Sequence, residues 1–170
     1  MILLWVLAAL VLLFGLAAFF GAPYVPSQRR FVKKAFQDLY PLKKTDVLVD
    51  IGCGDGLVLR QARHQGARAI GYEINPVLFA IASWISRRDD GVSVRFANFW
   101  MTDLPQDTTV VYAFSVKRDN PRLVRKLQKE SERLGRPLSL LCFGSPLEQK
   151  TPDAQDGAYY LYTFYPMQDK

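Results

Sequence analysis

The pattern of apolar and polar positions divides the chain into two unequal parts. Residues 1–22, MILLWVLAALVLLFGLAAFFGA, carry no charged and no polar side chain. As a helix this run is about 33 Å long, enough to cross a hydrocarbon core of about 30 Å. A cleaved signal peptide has a basic start and a shorter apolar core, and no Lys or Arg precedes this run. Small residues at Ala17, Ala18 and Ala22 leave cleavage as the alternative. The expectation is one transmembrane helix over 1–22, then a connector and basic helix over 23–45, then a domain over 46–170.

Beyond residue 22 the pattern breaks into short elements. Pro23 and Pro26 stop a continuous helix, so PYVPS is an extended connector. Ser27 is placed to cap a helix reaching Tyr40, with Phe31, Ala35, Phe36 and Leu39 on one face and basic residues on the other. Strands are predicted over 46–50, 67–74, 92–97, 107–116 and 136–144, with a tyrosine-rich last strand over 157–165. Helices are predicted over 56–65, stopped by Gly66, over 76–88 behind Asn75-Pro76, and over 120–135 behind Asn120-Pro121. Strands alternating with helices predict an α/β, Rossmann-like, doubly wound and mostly parallel sheet. Ligands of such sheets bind beyond the carboxyl ends of the strands, where strand order reverses.

Composition adds one thing to this picture. The 170 residues hold 49% hydrophobic and 22% charged positions with a formal net charge of +6, and all of the charge lies after residue 22. Arg29, Arg30, Lys33, Lys34, Lys43 and Lys44 follow the apolar run closely, which by the positive-inside rule orients the domain to the cytoplasm and favours anionic headgroups. Cys53 and Cys142 have no partner at metal-ligand or redox-motif spacing, so neither zinc nor a disulfide framework is expected.

The chemistry concentrates in VLVDIGCGDGLVL, residues 47–59. An acid, Asp50, ends the first strand, and Gly52, Gly54 and Gly56 follow on alternate positions around Cys53. A dinucleotide turn reads G-x-G-x-x-G, but Leu57 stands where its third glycine belongs. An acid beside a pyrophosphate is also unfavourable. S-adenosylmethionine has no phosphate and carries a sulfonium and an ammonium, which suit Asp50, while glycines let it approach bare backbone. Glu73, 21 residues after Gly52, stands at the spacing at which a carboxylate takes ribose hydroxyls. This reading outweighs a nicotinamide cofactor, with solvated strand-end carboxylates as the third reading.

Together VLVDIGCGDG and GYEINP resemble the first two motifs of class I, seven-strand methyltransferases. With the apolar run, PYVPS and the basic helix in front, the set is similar to the membrane-anchored protein lysine methyltransferases, whose eukaryotic members act on the mitochondrial ATP synthase c subunit and adenine nucleotide translocase. The resemblance implies that Asp50, Gly52, Cys53, Gly54 and Gly56 hold the methionine part of S-adenosylmethionine and Glu73 its ribose. Family members carry an acid-apolar-Trp triplet after the third strand; here it reads Asn98, Phe99, Trp100, with Asn98 accepting the adenine amino hydrogen through its amide oxygen. The chain has one legible strand after LCFG where the fold has two, so a trimmed sheet edge is expected.

In-line methyl transfer needs alignment and exclusion of water, with no metal. A lysine acceptor, whose free pKa is about 10.4, must first lose a proton, and an apolar aromatic pocket favours that loss. Tyr24, Tyr112 and Ser115 are the candidates to line it, and His64, on a helix away from the strand ends, is read as a surface residue. The expected partner is a membrane-associated protein. Enzymes methylating base amino groups carry an Asn-Pro-Pro-Tyr-like motif after the fourth strand; here AFSVKRDNP stands there, which makes nucleic acid the weaker reading. A small-molecule or lipid acceptor, or a cofactor-binding module without catalysis, also stays open.

Overall fold

The computed structural model describes residues 1, 3–6 and 27–167. The expected membrane helix over 1–22 and Tyr24 in the connector lie outside the described residues, apart from residues 1 and 3–6. Among the described residues no helix is long and apolar enough to cross a membrane.

Seven strands form one sheet in the order β3-β2-β1-β4-β5-β7-β6. They are β1 (Val47–Ile51), β2 (Arg68–Glu73), β3 (Val92–Phe96), β4 (Val110–Ser115), β5 (Leu138–Gly144), β6 (Ala154–Asp156) and β7 (Tyr159–Phe164). The first five pair in parallel, and β7 runs antiparallel between β5 and β6. The expected trimmed edge is thus corrected. A short β6 exists, turning into β7 through Gly157 at φ +59°. Its sequence, Ala-Gln-Asp, has no apolar alternation, because an edge strand of three residues needs none.

Strand order reverses between β1 and β4, which lie side by side with Asp50 opposite Tyr112. Successive residues of each strand face opposite layers. One layer gathers Val49, Val111, Leu140 and Tyr162 against helix α4 (Asn120–Leu134) through Leu123 and Leu127. The other gathers Leu48, Tyr112 and Leu141 against α1 (Arg29–Lys34), through Val32, and α2 (Leu57–His64), through Val58, Leu59 and Ala62. Helix α3 (Pro76–Ser86) packs on β3 and β2 at the sheet edge.

Two further expectations are corrected at α1. Ser27 does not cap it; Gln28 holds the cap position and no side chain bonds there. The helix also does not continue to Tyr40 as an α-helix. From Ala35 to Leu39 it widens into a π turn, closed by Tyr40 N–H donating to Ala35 O at 3.0 Å. Ala35 and Phe36 are both buried on the sheet in this turn.

Candidate functional site

The glycine turn joins β1 to α2. Gly52, Gly54 and Gly56 adopt φ of +74°, +56° and +77°, a region costing a residue with a side chain roughly 1–2 kcal/mol. Three left-handed positions on alternate residues fold the turn back over its strand, and Gly52 N–H and Cys53 N–H both donate to Tyr72 O, at 2.9 and 3.1 Å. Gly71 on β2 makes room for this. A Cβ there would stand 2.5 Å from Cys53 Sγ and 2.6 Å from Leu59 Cδ1. The glycine of GYE is therefore a packing requirement of the turn.

Glu73, at the end of β2, reaches across to the same turn. Its Oε2 accepts from Gly54 N–H at 2.8 Å, while Oε1 accepts from Ile74 N–H at 2.9 Å and Asn75 N–H at 2.8 Å. Asp55, just before the Gly56 cap of α2, accepts from Leu57 N–H at 3.1 Å and pairs with Arg60 at 3.5 Å. Asp50 is buried, and among the described residues none donates to its carboxylate. Burial, then the nearby charges of Glu73 and Asp55, push the Asp50 carboxyl well above the usual carboxylate range. Burial and the same acids push the Cys53 thiol far up, so it stays protonated and inert as a nucleophile. Acids clustered around one turn disfavour a pyrophosphate, and a bound cation would favour the ionised form of Asp50.

Beside the turn a cavity of about 350 Å³ opens at the carboxyl ends of β1 and β4. That is within the size range of small-molecule sites. Gly52, Asn98, Phe99, Trp100 and Ser115 line it, while Asp50, Cys53, Gly54, Gly56 and Glu73 are not part of its lining and sit in and under the adjoining glycine turn. Asn98 Oδ1 accepts from Trp100 N–H at 3.0 Å, capping the short 3-10 turn Phe99–Met101. Its second lone pair is what remains for an adenine amino group. Phe99 is at once cavity wall and core, and the Arg122 guanidinium lies over the Trp100 ring at 4.4 Å. Ser115 Oγ donates to Ser145 O at 2.6 Å.

Tyr112 is set apart from this cavity. It is buried on the α1 side of the sheet, where Phe36 meets its ring edge-on and its hydroxyl donates to Tyr159 OH at 3.4 Å. Burial, with the Tyr159 hydroxyl beside it, pushes the Tyr112 phenol well above its usual range, and Ser27 bonds to it in the opposite sense. Tyr112 thus shares its side of the sheet with Asp50 and with the start of the described domain at Ser27. Tyr24 lies outside the described residues, and His64 is exposed on α2.

The cavity also contains residues that sequence reasoning missed. Asn120 begins α4 and lines the wall. Its Nδ2 donates to Pro146 O at 3.0 Å and lies 3.5 Å from Ser145 O; two carbonyl neighbours fix the amide's orientation. Its Oδ1 is then left buried with no donor among the described residues. A buried acceptor without a donor is a local cost that the fold carries at this helix start. Arg118 and Arg122 add positive charge to the same rim. Asn120-Pro121 reads in sequence as a helix start, which gives no hint of the free lone pair.

The family pattern described as "ANTKMT methyltransferase domain" matches residues 50–143. The chain is 34% identical over 121 residues to the ATP synthase c-subunit lysine N-methyltransferase of Xenopus laevis, covering 69% of this chain and 52% of that protein. It is 31% identical over 113 residues to a protein-lysine N-methyltransferase of Saccharolobus islandicus, covering 64% of this chain and 69% of that one. Among solved structures, an RNA methyltransferase from Salinibacter ruber in complex with S-adenosyl-L-homocysteine superposes with a TM-score of 0.74 at 26% identity, covering 86% of this chain and 97% of that one. The chain spans 52% to 61% of the length of its relatives from Xenopus laevis and Rattus norvegicus.

Proposed function

The chain belongs to the ANTKMT methyltransferase family, and on that premise we propose that it is an S-adenosylmethionine-dependent protein lysine N-methyltransferase acting on a membrane-associated protein. The observation that carries this reading is the turn of three left-handed glycines ringed by Asp50, Asp55 and Glu73 beside a 350 Å³ cavity. A cationic, phosphate-free nucleoside fits that charge; a nicotinamide dinucleotide does not. The relatives' names supply the acceptor class, a lysine of a protein.

In this reading the cofactor, when bound, supplies an electrophilic methyl group. Asp50 faces its ammonium, so an ionised carboxylate is held where a cation offsets its burial. Glu73 keeps the glycine turn folded and turns a lone pair to the ribose. Asn98, Phe99 and Trp100 form the adenine wall, with Phe99 and Trp100 excluding water. The apolar surroundings of Ala113 and Phe114 favour the neutral amine over the ammonium. The proton is lost to solvent before transfer, so no side chain is assigned as general base.

Membrane attachment is the finer part of the proposal. Residues 1–22 are apolar throughout, and six basic residues follow by Lys44, a pattern that supports a single-pass anchor with the domain on the cytoplasmic side. Tyr24 in the connector would then contribute to the acceptor pocket at the membrane surface.

RNA is the second reading, favoured by the near full-length likeness to the Salinibacter ruber enzyme. Incubating the full chain with methyl-labelled cofactor and a membrane extract separates them. Label in a protein band, released as methyl-lysine on hydrolysis, is the expected result; label in RNA or lipid refutes the protein reading. Cofactor binding without transfer to any fraction favours a non-catalytic module.

A further inference from the structure

Helix α3 keeps much of its apolar bulk outside. Its inward face combines half-buried Leu78 and Phe79 with small residues: Ala82 and Ser86 are buried, and the Ser83 and Ser86 hydroxyls have no partner among the described residues. Its outward face carries large apolar ones, with Trp84 66% exposed and Ile81 and Ile85 each exposed by about two fifths. The patch continues past the helix. Ile74 just before it is 52% exposed, and Phe96 at the end of edge strand β3 is 59% exposed and meets Phe79 of α3 in a tilted pair with ring centres 5.5 Å apart. Contiguous exposed apolar surface of this kind marks an interaction face.

The charges around it select the occupant. Residues 74–86 carry no charge at all, and Arg87 and Arg88 follow immediately, both exposed. The Arg87 guanidinium lies over the Trp84 ring at 4.5 Å and donates to Trp84 O at 2.6 Å. Of the acids nearby, Asp89 is paired with Arg63 at 3.0 Å, which leaves Asp90 against Arg87 and Arg88. An apolar stripe with an aromatic ring at its end and guanidinium groups beside it matches the boundary between acyl chains and anionic headgroups.

We infer that the outward face of α3, with Phe96, is a lipid-binding surface that lies in the interface of an anionic bilayer; this rests on the membrane attachment proposed above. The anchor would tether the domain, and α3 would fix its roll. Because α3 starts three residues after Glu73, seating it on the lipid holds the carboxyl-end cavity at a set height over the membrane, where an acceptor lysine near the surface can enter.

The test uses the full chain. Cys53 and Cys142 are both buried, so an Ile81→Cys variant can be labelled selectively with an environment-sensitive fluorophore. It is reconstituted into vesicles of phosphatidylcholine and phosphatidylglycerol. The expected result is blue-shifted emission quenched by nitroxide on the upper acyl chain and shielded from aqueous iodide. A Lys129→Cys label on α4, which packs on β5 and β7, should respond in the opposite way. Arg87→Glu with Arg88→Glu in the Ile81→Cys background should reduce the lipid-quenched fraction by about tenfold or more, since each arginine near the surface contributes roughly fivefold. An iodide-accessible Ile81→Cys label on a chain that stays in the vesicles after alkaline washing overturns the inference and leaves the anchor standing. A label quenched from the lipid on a chain that washing removes supports the inference and refutes the anchor. Disulfide cross-linking of Ile81→Cys between chains, with the label shielded from both quenchers, assigns the face to a second copy and overturns it.

Discussion

Glu73 serves the fold and the ligand with the same two oxygens, which makes its replacement quantitatively informative. The carboxylate is 5% exposed and accepts three backbone hydrogens, one from the glycine turn and two from its own strand end. A carboxylate offers about four lone-pair sites, so one remains for a ribose hydroxyl. A second hydroxyl must share or replace the Gly54 bond. Glu73→Ala strands the buried Gly54 N–H at a cost of about 1–3 kcal/mol, while Ile74 and Asn75 N–H are reachable by water and cost less. The expected destabilisation is about 2–4 kcal/mol, a fall in Tm of roughly 5–15 °C for a domain of this size. Ligand binding loses one to two charge-assisted hydrogen bonds, about 2–4 kcal/mol, or roughly thirtyfold to several hundredfold in Kd. Glu73→Gln should keep the Ile74 and Asn75 bonds through its oxygen but set its NH2 against Gly54 N–H, donor to donor. It should therefore melt above Glu73→Ala and still bind poorly. Scanning calorimetry and titration with S-adenosylhomocysteine read the two effects separately. Normal affinity in Glu73→Ala refutes the ribose assignment, and an unchanged Tm refutes the structural one.

Three further outcomes follow from the same geometry. Asp50 has a raised folded pKa, so between the ordinary carboxylate range and that raised value the folded protein holds the extra proton and stability falls as pH rises, the loss being complete above it. A cationic ligand favours the ionised form, so affinity for S-adenosylmethionine should rise with pH through that window by up to about tenfold per unit; Asp50→Asn should flatten the profile in titrations across pH, lower affinity, and stabilise the ligand-free protein at neutral pH. Gly71→Ala should drive Cys53 and Leu59 from the glycine turn, costing about 1–3 kcal/mol in denaturant melts and weakening ligand binding, although residue 71 lies outside the cavity. Glu130→Ala should destabilise by about 3–5 kcal/mol in the same melts, because the buried carboxylate holds Lys126 at 2.9 Å and Arg133 at 2.6 Å and accepts from Leu104 N–H; a loss under 1 kcal/mol would refute its role as the clasp of the loop after Trp100.

Features that depend on local chain chemistry are legible along the sequence. Alternating apolar strands, capped helices and glycine stops follow from backbone sterics and periodicity, and the parallel order of β1 to β5 follows from the alternation. The acid and the glycines of VLVDIGCGDG specify a left-handed turn and a cation-seeking site because only glycine takes those dihedrals cheaply and only the absence of phosphate tolerates the acid. Other features depend on which distant groups meet, and packing sets them. Glu73 closes on Gly54 across two strands. Tyr112, a neighbour of Ser115 in sequence, faces the opposite side of the sheet, since strand residues three apart point to opposite faces. Glu130 lies in a helix rich in charge and is buried, accepting from Leu104 N–H of the loop after Trp100. Asn120 reads as a helix start, and only packing ties its nitrogen to Ser145 and Pro146 and leaves its oxygen buried without a donor among the described residues. The strand β6 is too short for any periodic signal and exists because β7 offers it an edge. Each of these is a long-range pairing, set by the register of strands and the fit of side chains between layers, which no window of neighbouring residues contains.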